Sequence, residues 1–259
     1  MRGTPPALEL RGVDMHYGYV RALDAIDIRV DQGEVLGLVG DNGAGKSSLL
    51  KVMSGAHQPT GGTILVHGVE TVFHSPSDST AAGIQMVYQD LALVDAQDIA
   101  TNLHVGREIL RRGPLGWLGF VDHKAQRQRA QAELDALGVR TAAVTRPVEM
   151  LSGGQRQVVA LARAATRVTG ERNGVLLLDE PTAALGYEQT RQVRALIRRM
   201  AGQGIAVVLV THNLPQAMAA CDRIVVLNRG RIVADVAPSA TDNDQLVGWI
   251  TGARPSMFA

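Results

Sequence analysis

A glycine-rich segment near the N-terminus is the feature that most constrains the fold of this 259-residue chain. Residues 40–47 read GDNGAGKS and match the phosphate-binding pattern G-x-x-x-x-G-K-[ST] at every fixed position. A strand pattern over Glu34–Val39 precedes the segment, and a helix pattern over Lys46–Met53 follows it. In that context, small residues allow backbone N–H groups to surround a polyphosphate at the start of the helix. The segment therefore predicts an α/β fold with a polyphosphate site.

Individual roles within this segment follow from side-chain chemistry. The Lys46 ammonium is expected to reach the β- and γ-phosphates, and the Ser47 hydroxyl is expected to ligate Mg²⁺. The candidate nucleotide-binding residues of the segment are Gly40, Asn42, Gly43, Ala44, Gly45, Lys46, Ser47 and Ser48.

A second motif is an apolar strand that ends in two acids. Val175–Leu178 is wholly aliphatic, and Asp179 and Glu180 follow it directly. A buried strand delivers a carboxylate rigidly, so Asp179 is the candidate Mg²⁺ ligand. Glu180, at the strand exit, is expected to orient or deprotonate an attacking water molecule. A strand ending in acids often simply meets solvent, but downstream of a phosphate-binding loop the same pattern predicts catalysis.

A third motif, LSGGQ at residues 151–155, precedes a strongly helical stretch over Arg156–Arg167. Ser152 is a good N-cap and the two glycines free the backbone, which predicts a second anion-binding helix start. One nucleotide hardly needs two such helix starts from one subunit. The second start is therefore expected to serve the nucleotide of a partner.

Composition excludes several classes of protein. Hydrophobic residues at 46% and charged residues at 20% are typical of a globular protein. A net charge of +1 argues against a protein that coats nucleic acid or anionic membrane electrostatically. The single cysteine, Cys221, excludes an intramolecular disulfide and is compatible with a reducing compartment. The apolar runs are far shorter than the roughly 18 residues of a membrane-spanning helix, so we expect a soluble, cytoplasmic protein.

Short strand patterns alternate with helix patterns, as in α/β folds. From about Asp90 to Val168 the pattern is almost wholly helical, and the polar run Thr166–Gly174 is expected to be a surface loop. Five histidines without metal-ligand spacing are expected at the surface or in turns: His57, His67, His74, His104 and His123. The predicted strands are Leu8–Val13, Ile26–Val30, Glu34–Val39, Thr63–His67, Ile84–Tyr88, Val175–Leu178, Ile205–Thr211, Arg223–Asn228 and Arg231–Asp235.

The order of the three motifs resembles that in the ATPase subunit of ABC transporters, over about residues 8–252. The resemblance implies ATP and Mg²⁺ as cofactors. It also implies the P-loop ABC ATPase fold, with a mainly parallel core sheet, an antiparallel β part and a helical subdomain. In that family the signature residues contact nucleotide across a dimer; here they are Ser152, Gly153, Gly154 and Gln155.

Three further site residues are implied by the resemblance. Gln89 matches the glutamine that joins the core to the helical subdomain and contacts the metal, and His212 matches the switch histidine at the γ-phosphate. Tyr17 matches the aromatic residue that stacks on adenine. Its neighbours Tyr19 and His16 could stack there instead.

The resemblance also implies a division of the chain. A single ABC ATPase domain would cover residues 8–252. Residues 1–89 and 169–252 would form the core with its β-subdomain, and residues 90–168 would form the helical subdomain that carries the signature. Residues 253–259 would be a C-terminal tail.

One departure from the family pattern follows the two acids. Many members carry an aspartate where this chain has Gly186, which offers no carboxylate to contacts across the dimer. The string Glu180–Gly186 is nevertheless similar to that of bacterial importers of ribose, fructose and xylose, as are Gly40–Ser47 and Tyr88–Glu108. The resemblance therefore implies monosaccharide import. An ABC exporter ATPase and a soluble, non-transport ABC ATPase are the alternatives.

The implied mechanism requires partners. Two subunits, identical or paralogous, would sandwich two ATP molecules head to tail, and hydrolysis by a water held by Glu180 and His212 would loosen the pair. The segment Gln89–Glu108 would pass this motion to transmembrane permease subunits, which a periplasmic solute-binding protein serves. The resemblance implies a peripheral position on the inner face of the cell membrane and no nucleic-acid partner.

Overall fold

The computed structural model describes residues 4–139, 143–169, 174–183 and 185–258. Parts of four predicted features lie outside the described residues. These are residues 1–3 of the predicted core, residues 140–142 of the predicted helical subdomain, residues 170–173 of the predicted surface loop and residue 259 of the predicted tail. Ala184, within the string that follows the two acids, lies outside them as well.

Two sheets and a set of helices make up the described chain. The strands are β1 (Leu8–Tyr17), β2 (Val20–Val30), β3 (Val35–Gly40), β4 (Gly61–Val66), β5 (Val69–Glu70), β6 (Ile84–Val87), β7 (Val175–Asp179), β8 (Ala206–Val210), β9 (Arg223–Asn228) and β10 (Arg231–Val236). The helices are α1 (Lys46–Met53), α2 (Pro76–Ala81), α3 (Ile99–His104), α4 (Pro114–Trp117), α5 (His123–Ala136), α6 (Gly153–Val168), α7 (Tyr187–Gly202), α8 (Leu214–Ala220) and α9 (Asn243–Thr251).

The larger sheet has the order β10-β9-β3-β8-β7-β6. Strands β9, β3, β8, β7 and β6 run parallel to their neighbours, and β10 alone pairs antiparallel, with β9. The register places Gly40 opposite Leu227 and Asp179 opposite Val210. Because parallel strands end at the same sheet edge, the residues that follow them converge there.

This sheet separates two hydrophobic cores. In β7, Leu176 and Leu178 face the core built with α3, α5, α6 and α7, whereas Val175 and Leu177 face the core shared with α1, β1 and β2. Side chains of a strand alternate between faces, so a strand covered on both faces is apolar throughout. This explains the unbroken aliphatic run in the sequence.

The smaller sheet is antiparallel, with the order β2-β1-β4-β5. Its two longest strands exceed the predictions because they form a hairpin in which Tyr17 pairs with Val20 around Gly18, whose φ is +59°. Polar residues continue the pairing beyond the apolar part of β1, so an apolar pattern alone underestimates its length. The predicted mainly parallel core sheet with an antiparallel part is confirmed.

Two local predictions are wrong. His104 is buried rather than at the surface, because it lies on the face of α3 that packs against α5, with its Nε2 3.4 Å from Oε2 of Glu133. Residues 166–168 of the predicted loop continue α6, since Val168 is buried in the core. Among the described residues, none of the helices is both long and apolar enough to cross a membrane.

The double burial of β7 generates a stability prediction. Leu177→Ala should leave a cavity in the core and lower the free energy of unfolding by about 2–5 kcal/mol, measured by urea denaturation. Val72→Ala is the control, because Val72 is 65% exposed and its truncation should change the stability by less than about 0.5 kcal/mol. Equal losses in the two variants would contradict the assigned burial.

Candidate functional site

The glycine-rich loop follows β3 and runs directly into α1. Gly40, Gly43 and Gly45 all have positive φ, at 159°, 79° and 107°. A Cβ on Gly40 would clash with the carbonyl oxygen of Leu227, and one on Gly45 would lie 2.7 Å from the carbonyl oxygen of Ala22. The loop therefore needs glycine both for its backbone conformation and for its close approach to neighbouring strands.

Lys46, the first residue of α1, folds back over this loop. Its Nζ donates hydrogen bonds to the carbonyl oxygens of Gly40 and Asp41, each at 2.8 Å. Burial lowers the pKa of Lys46, while the negative charges of Glu180, Asp41 and Asp179 raise it. The ammonium thus lies within the field of three carboxylates at the carboxyl ends of β3 and β7, where a phosphate could replace the backbone carbonyls as its partner.

Asp179 is the last residue of β7 and is partly buried. Burial raises its pKa, the neighbouring Glu180 raises it further, and Lys46 lowers it. In such surroundings a second cation close by would stabilise the charged form of the carboxylate. Ser47 lines the same cleft, so hydroxyl and carboxylate oxygens, the ligand types that Mg²⁺ prefers, face one space.

These residues line one cleft of about 460 Å³ at the carboxyl end of the large sheet, which we call the strand-end cleft. It brings together most of the residues predicted from the loop and the two acids. Arg21 and Arg229 also line it, and motif patterns gave no signal for either. The lining residues are Val20, Arg21, Ala22, Asn42, Gly43, Gly45, Lys46, Ser47, Ser48, Asp179, Glu180, Val210, Arg229 and Gly230.

Glu180 adopts an unusual backbone conformation, with φ at +48°. Its N–H donates to the carbonyl oxygen of Val210 at 3.0 Å, which extends the β7–β8 pairing by one residue. The His212 Nδ1 donates to the Glu180 carboxylate at 2.9 Å. Strained backbone conformations cluster at functional sites, and here one turns a carboxylate toward the cleft next to an imidazole.

A buried glutamine connects the segments that carry Glu180 and His212. The Gln216 Oε1 accepts hydrogen bonds from Oγ1 of Thr182 at 2.7 Å and Oγ1 of Thr211 at 3.2 Å. Each threonine lies within two residues of one of the paired side chains. The sequence offered no signal for Gln216, because its role depends on contacts between segments about 30 residues apart.

The signature residues lie at the N-terminus of α6 and do not line the strand-end cleft. The Ser152 Oγ accepts from the Gln155 N–H at 3.4 Å, and the Gln155 Oε1 accepts from the Ser152 N–H at 3.0 Å. Gly153 is exposed, whereas Gly154 packs so closely on α7 that a Cβ would lie 2.6 Å from Cγ of Gln189. The expected N-cap and helix are confirmed, on a surface separate from the cleft.

Five other predicted residues lie outside the lining of the strand-end cleft: Tyr17, Gln89, Gly40, Ala44 and His212, the last of which is hydrogen-bonded to Glu180. Tyr17 is 39% exposed, and its hydroxyl hydrogen-bonds to Nδ1 of His57 at 2.8 Å. Gln89 is exposed two residues after β6. Ala44 and Gly40 belong to the loop itself, Ala44 as a buried residue whose carbonyl oxygen accepts from the Gly230 N–H.

Comparison with known proteins agrees with this geometry. A family model described as ABC transporter matches residues 23–183. The fructose import ATP-binding protein FrcA of Rhizobium meliloti is 43% identical over 251 residues, which are 96% of this chain and 95% of the relative. The xylose/arabinose import ATP-binding protein XylG of Sulfolobus acidocaldarius is 38% identical over 94% of this chain and 93% of the relative.

Other relatives are longer. The arabinose import ATP-binding protein AraG 2 of Burkholderia thailandensis is 40% identical over 98% of this chain, which spans 46% of that relative. Among solved structures, the ADP conformation of an ATP-binding cassette of an ABC transporter matches with a TM-score of 0.78 at 22% identity, over 96% of each chain. At that identity the likeness concerns the fold. Sequence, fold and cleft agree, and the chain belongs to the ABC transporter family.

Proposed function

We propose that this chain is the ATP-hydrolysing subunit of an ABC transporter that imports a monosaccharide. The observation that carries the proposal is the strand-end cleft, which combines a phosphate-binding loop with a metal-ligand candidate and a hydrogen-bonded carboxylate–imidazole pair. The relatives named for import of fructose and of xylose and arabinose, which match over nearly their whole length, support the sugar as cargo.

ATP would bind with its phosphates on the glycine-rich loop and its adenine toward Tyr17. Backbone N–H groups of the loop and the Lys46 ammonium would neutralise the β- and γ-phosphates. Ser47 and Asp179 would hold Mg²⁺, with Gln89 added from the segment after β6. The metal would offset the charge that develops on the phosphate oxygens.

Hydrolysis would begin with a water molecule positioned by Glu180. The carboxylate would accept a hydrogen bond from the water and orient it toward the γ-phosphorus, opposite the bridging oxygen that leaves with ADP. His212 would hold the Glu180 carboxylate in place through the 2.9 Å hydrogen bond and contact the γ-phosphate. The products would be ADP and inorganic phosphate.

A second subunit, a copy or a paralogue, would complete each site. The residues Ser152–Gln155 are outside the cleft of their own chain, and three of them are exposed, which supports a role in binding a partner's nucleotide. The helix start supplies N–H groups to the γ-phosphate from the far side. ATP would thus hold two subunits together, and its hydrolysis would release them.

The membrane partners would be permease subunits, with a periplasmic solute-binding protein acting indirectly. In this proposal residues 1–89 and 169–252 form the nucleotide-binding core, and residues 90–168 form the helical unit. The segment Gln89–Glu108 would pass the opening and closing of the dimer to the permease at the inner face of the membrane.

The proposed import of a monosaccharide can be tested by growth of a deletion strain on single sugars. Deleting the gene should abolish growth on one of fructose, xylose, arabinose or ribose as sole carbon source, and the wild-type gene should restore it while Glu180→Gln should not. Normal growth on all four sugars, with active ATP hydrolysis by the purified protein, would refute sugar import but leave the ATPase assignment standing.

Glu180→Gln is the first test of the hydrolytic machinery. The amide keeps the shape but not the basicity of the carboxylate, so phosphate release should fall by about 100-fold or more, while ATP affinity is retained. The variant should elute as a dimer in ATP and Mg²⁺ during size-exclusion chromatography. Glu188→Gln, exposed at the start of α7, is the matched control and should behave as wild type. A monomeric, active Glu180→Gln protein would refute the scheme.

Lys46→Ala tests the phosphate-binding loop. Loss of the ammonium should weaken ATP binding by about tenfold or more, as measured by equilibrium titration with a fluorescent ATP analogue. Lys51→Ala removes an exposed lysine from the same helix and should leave the affinity unchanged. If both variants bind ATP as the wild type does, Lys46 does not contact the phosphates.

Gln216 is predicted to act as a positioning residue. Gln216→Met removes the acceptor shared by Thr182 and Thr211, so kcat should fall about tenfold while KM for ATP stays nearly unchanged, because Gln216 does not line the strand-end cleft. Gln216→Glu keeps an acceptor oxygen and should retain more turnover. A merely structural role would lower the unfolding midpoint of both variants and leave kcat of the folded fraction at the wild-type value.

A further inference from the structure

Residues 109–121, between α3 and α5, form a projecting hairpin that we call the 109–121 hairpin. Two backbone hydrogen bonds close its base: the Arg111 N–H donates to the Phe120 carbonyl at 2.8 Å, and the Asp122 N–H donates to the Ile109 carbonyl at 2.7 Å. Asp122 also caps α5 by accepting from the Ala125 N–H at 3.0 Å. The hairpin is therefore fixed to a 14-residue helix.

Its tip is closed by its own backbone. The short helix α4 lies at the tip, where the Leu118 N–H donates to the Pro114 carbonyl at 3.2 Å and the Phe120 N–H donates to the Leu115 carbonyl at 3.0 Å. Backbone groups paired in this way can leave water at little cost. The tip thus presents side chains outward on a backbone that needs few outside partners.

Those side chains are large, apolar and exposed. Trp117 is 91% exposed, Leu118 is 74% exposed and Phe120 is 54% exposed, with Leu110 and Leu115 alongside. The hairpin sequence contains two arginines, Arg111 and Arg112, and no acidic residue. Within the described part of the chain, neither arginine forms an ion pair.

We propose that the 109–121 hairpin binds the surface of a bilayer that contains anionic lipids. Tryptophan and leucine side chains prefer the boundary between headgroups and acyl chains, and the two unpaired arginines would meet lipid phosphates. The exposed Trp117 and Leu118 lie at the tip and Arg111 lies near the closed base, so a bilayer could accept the apolar side chains at its acyl boundary while its phosphates meet the arginines. None of its residues lines the strand-end cleft, so the inference does not depend on the proposed function.

The fluorescence of Trp117 can report this contact. Of the two tryptophans in the chain, Trp117 is exposed, whereas Trp249 is buried at 4% exposure. Adding vesicles of phosphatidylglycerol and phosphatidylcholine to the full-length protein should therefore shift the Trp117 emission to shorter wavelength. Lipids brominated in the acyl chain near the headgroup should quench it. Vesicles of phosphatidylcholine alone should give a much smaller effect.

Three double variants, each assayed by co-sedimentation with the anionic vesicles, separate the contributions. Trp117→Ser with Leu118→Ser should lower the partition coefficient by about tenfold or more. Arg111→Gln with Arg112→Gln should lower it by a similar factor at low salt, since each arginine near an anionic surface contributes about fivefold. Val69→Ser with Val72→Ser removes two similarly exposed apolar residues elsewhere and should change nothing.

Basal ATP hydrolysis by all three double variants in vesicle-free buffer should equal that of the wild type, which shows that they are folded. Wild-type protein that ignores anionic vesicles, or tip variants that bind them as well as the wild type, would overturn the proposal. The proposal would also be overturned if the wild type does not bind vesicles and a tip variant no longer binds a purified permease. That result would assign the hairpin to a protein partner.

Discussion

The site depends on one constraint, the parallel register of the large sheet. Because β3, β7 and β8 end together, Gly40, Asp179 and the residues after Val210 meet at one edge. Asp179 is the last residue of β7, Glu180 and His212 follow β7 and β8 closely, and Lys46 and Ser47 begin α1 after the loop that follows β3. A hydrophobic core packs against each face of these strands. The burial of aliphatic side chains therefore positions the polar residues at the edge, rather than contacts between the polar groups themselves.

The charges at this edge of the large sheet favour the binding of a phosphate together with a metal ion. Burial disfavours charge on both Lys46 and Asp179, since it lowers the pKa of the ammonium and raises that of the carboxylate. Each charge is partly compensated by the other, and among the described residues the Lys46 Nζ has only backbone carbonyls at hydrogen-bonding distance. An anionic phosphate beside Lys46 and a cation beside Asp179 would relieve both penalties together. Binding of the two is therefore expected to be coupled.

Much of this arrangement was predictable from the sequence because it is local. The loop at 40–47, the strand before Asp179 and the cap at Ser152 are each set by residues adjacent in the chain. What escaped prediction depends on distant contacts: Gln216 joins two threonines from separate segments, and His104 is buried because α5 covers it. The catalytic and binding roles of the site residues all stay predictions, and Tyr17 and Gln89 in addition lie outside the cleft lining.

Two arginines of α6 connect this helix to the segment that leads to the 109–121 hairpin. Arg163 donates to the carbonyls of Leu91 and Ala92, at 2.7 and 2.8 Å, and Arg167 donates to the carbonyl of Val105 at 2.6 Å. Burial lowers the pKa of both arginines, but the chain between Leu91 and Val105 supplies acceptors that hold them. These hydrogen bonds tie α6, which begins at the signature residues, to the segment between Leu91 and Val105. A displacement of α6 as a rigid helix is therefore expected to shift this segment, which leads to the hairpin proposed for the bilayer.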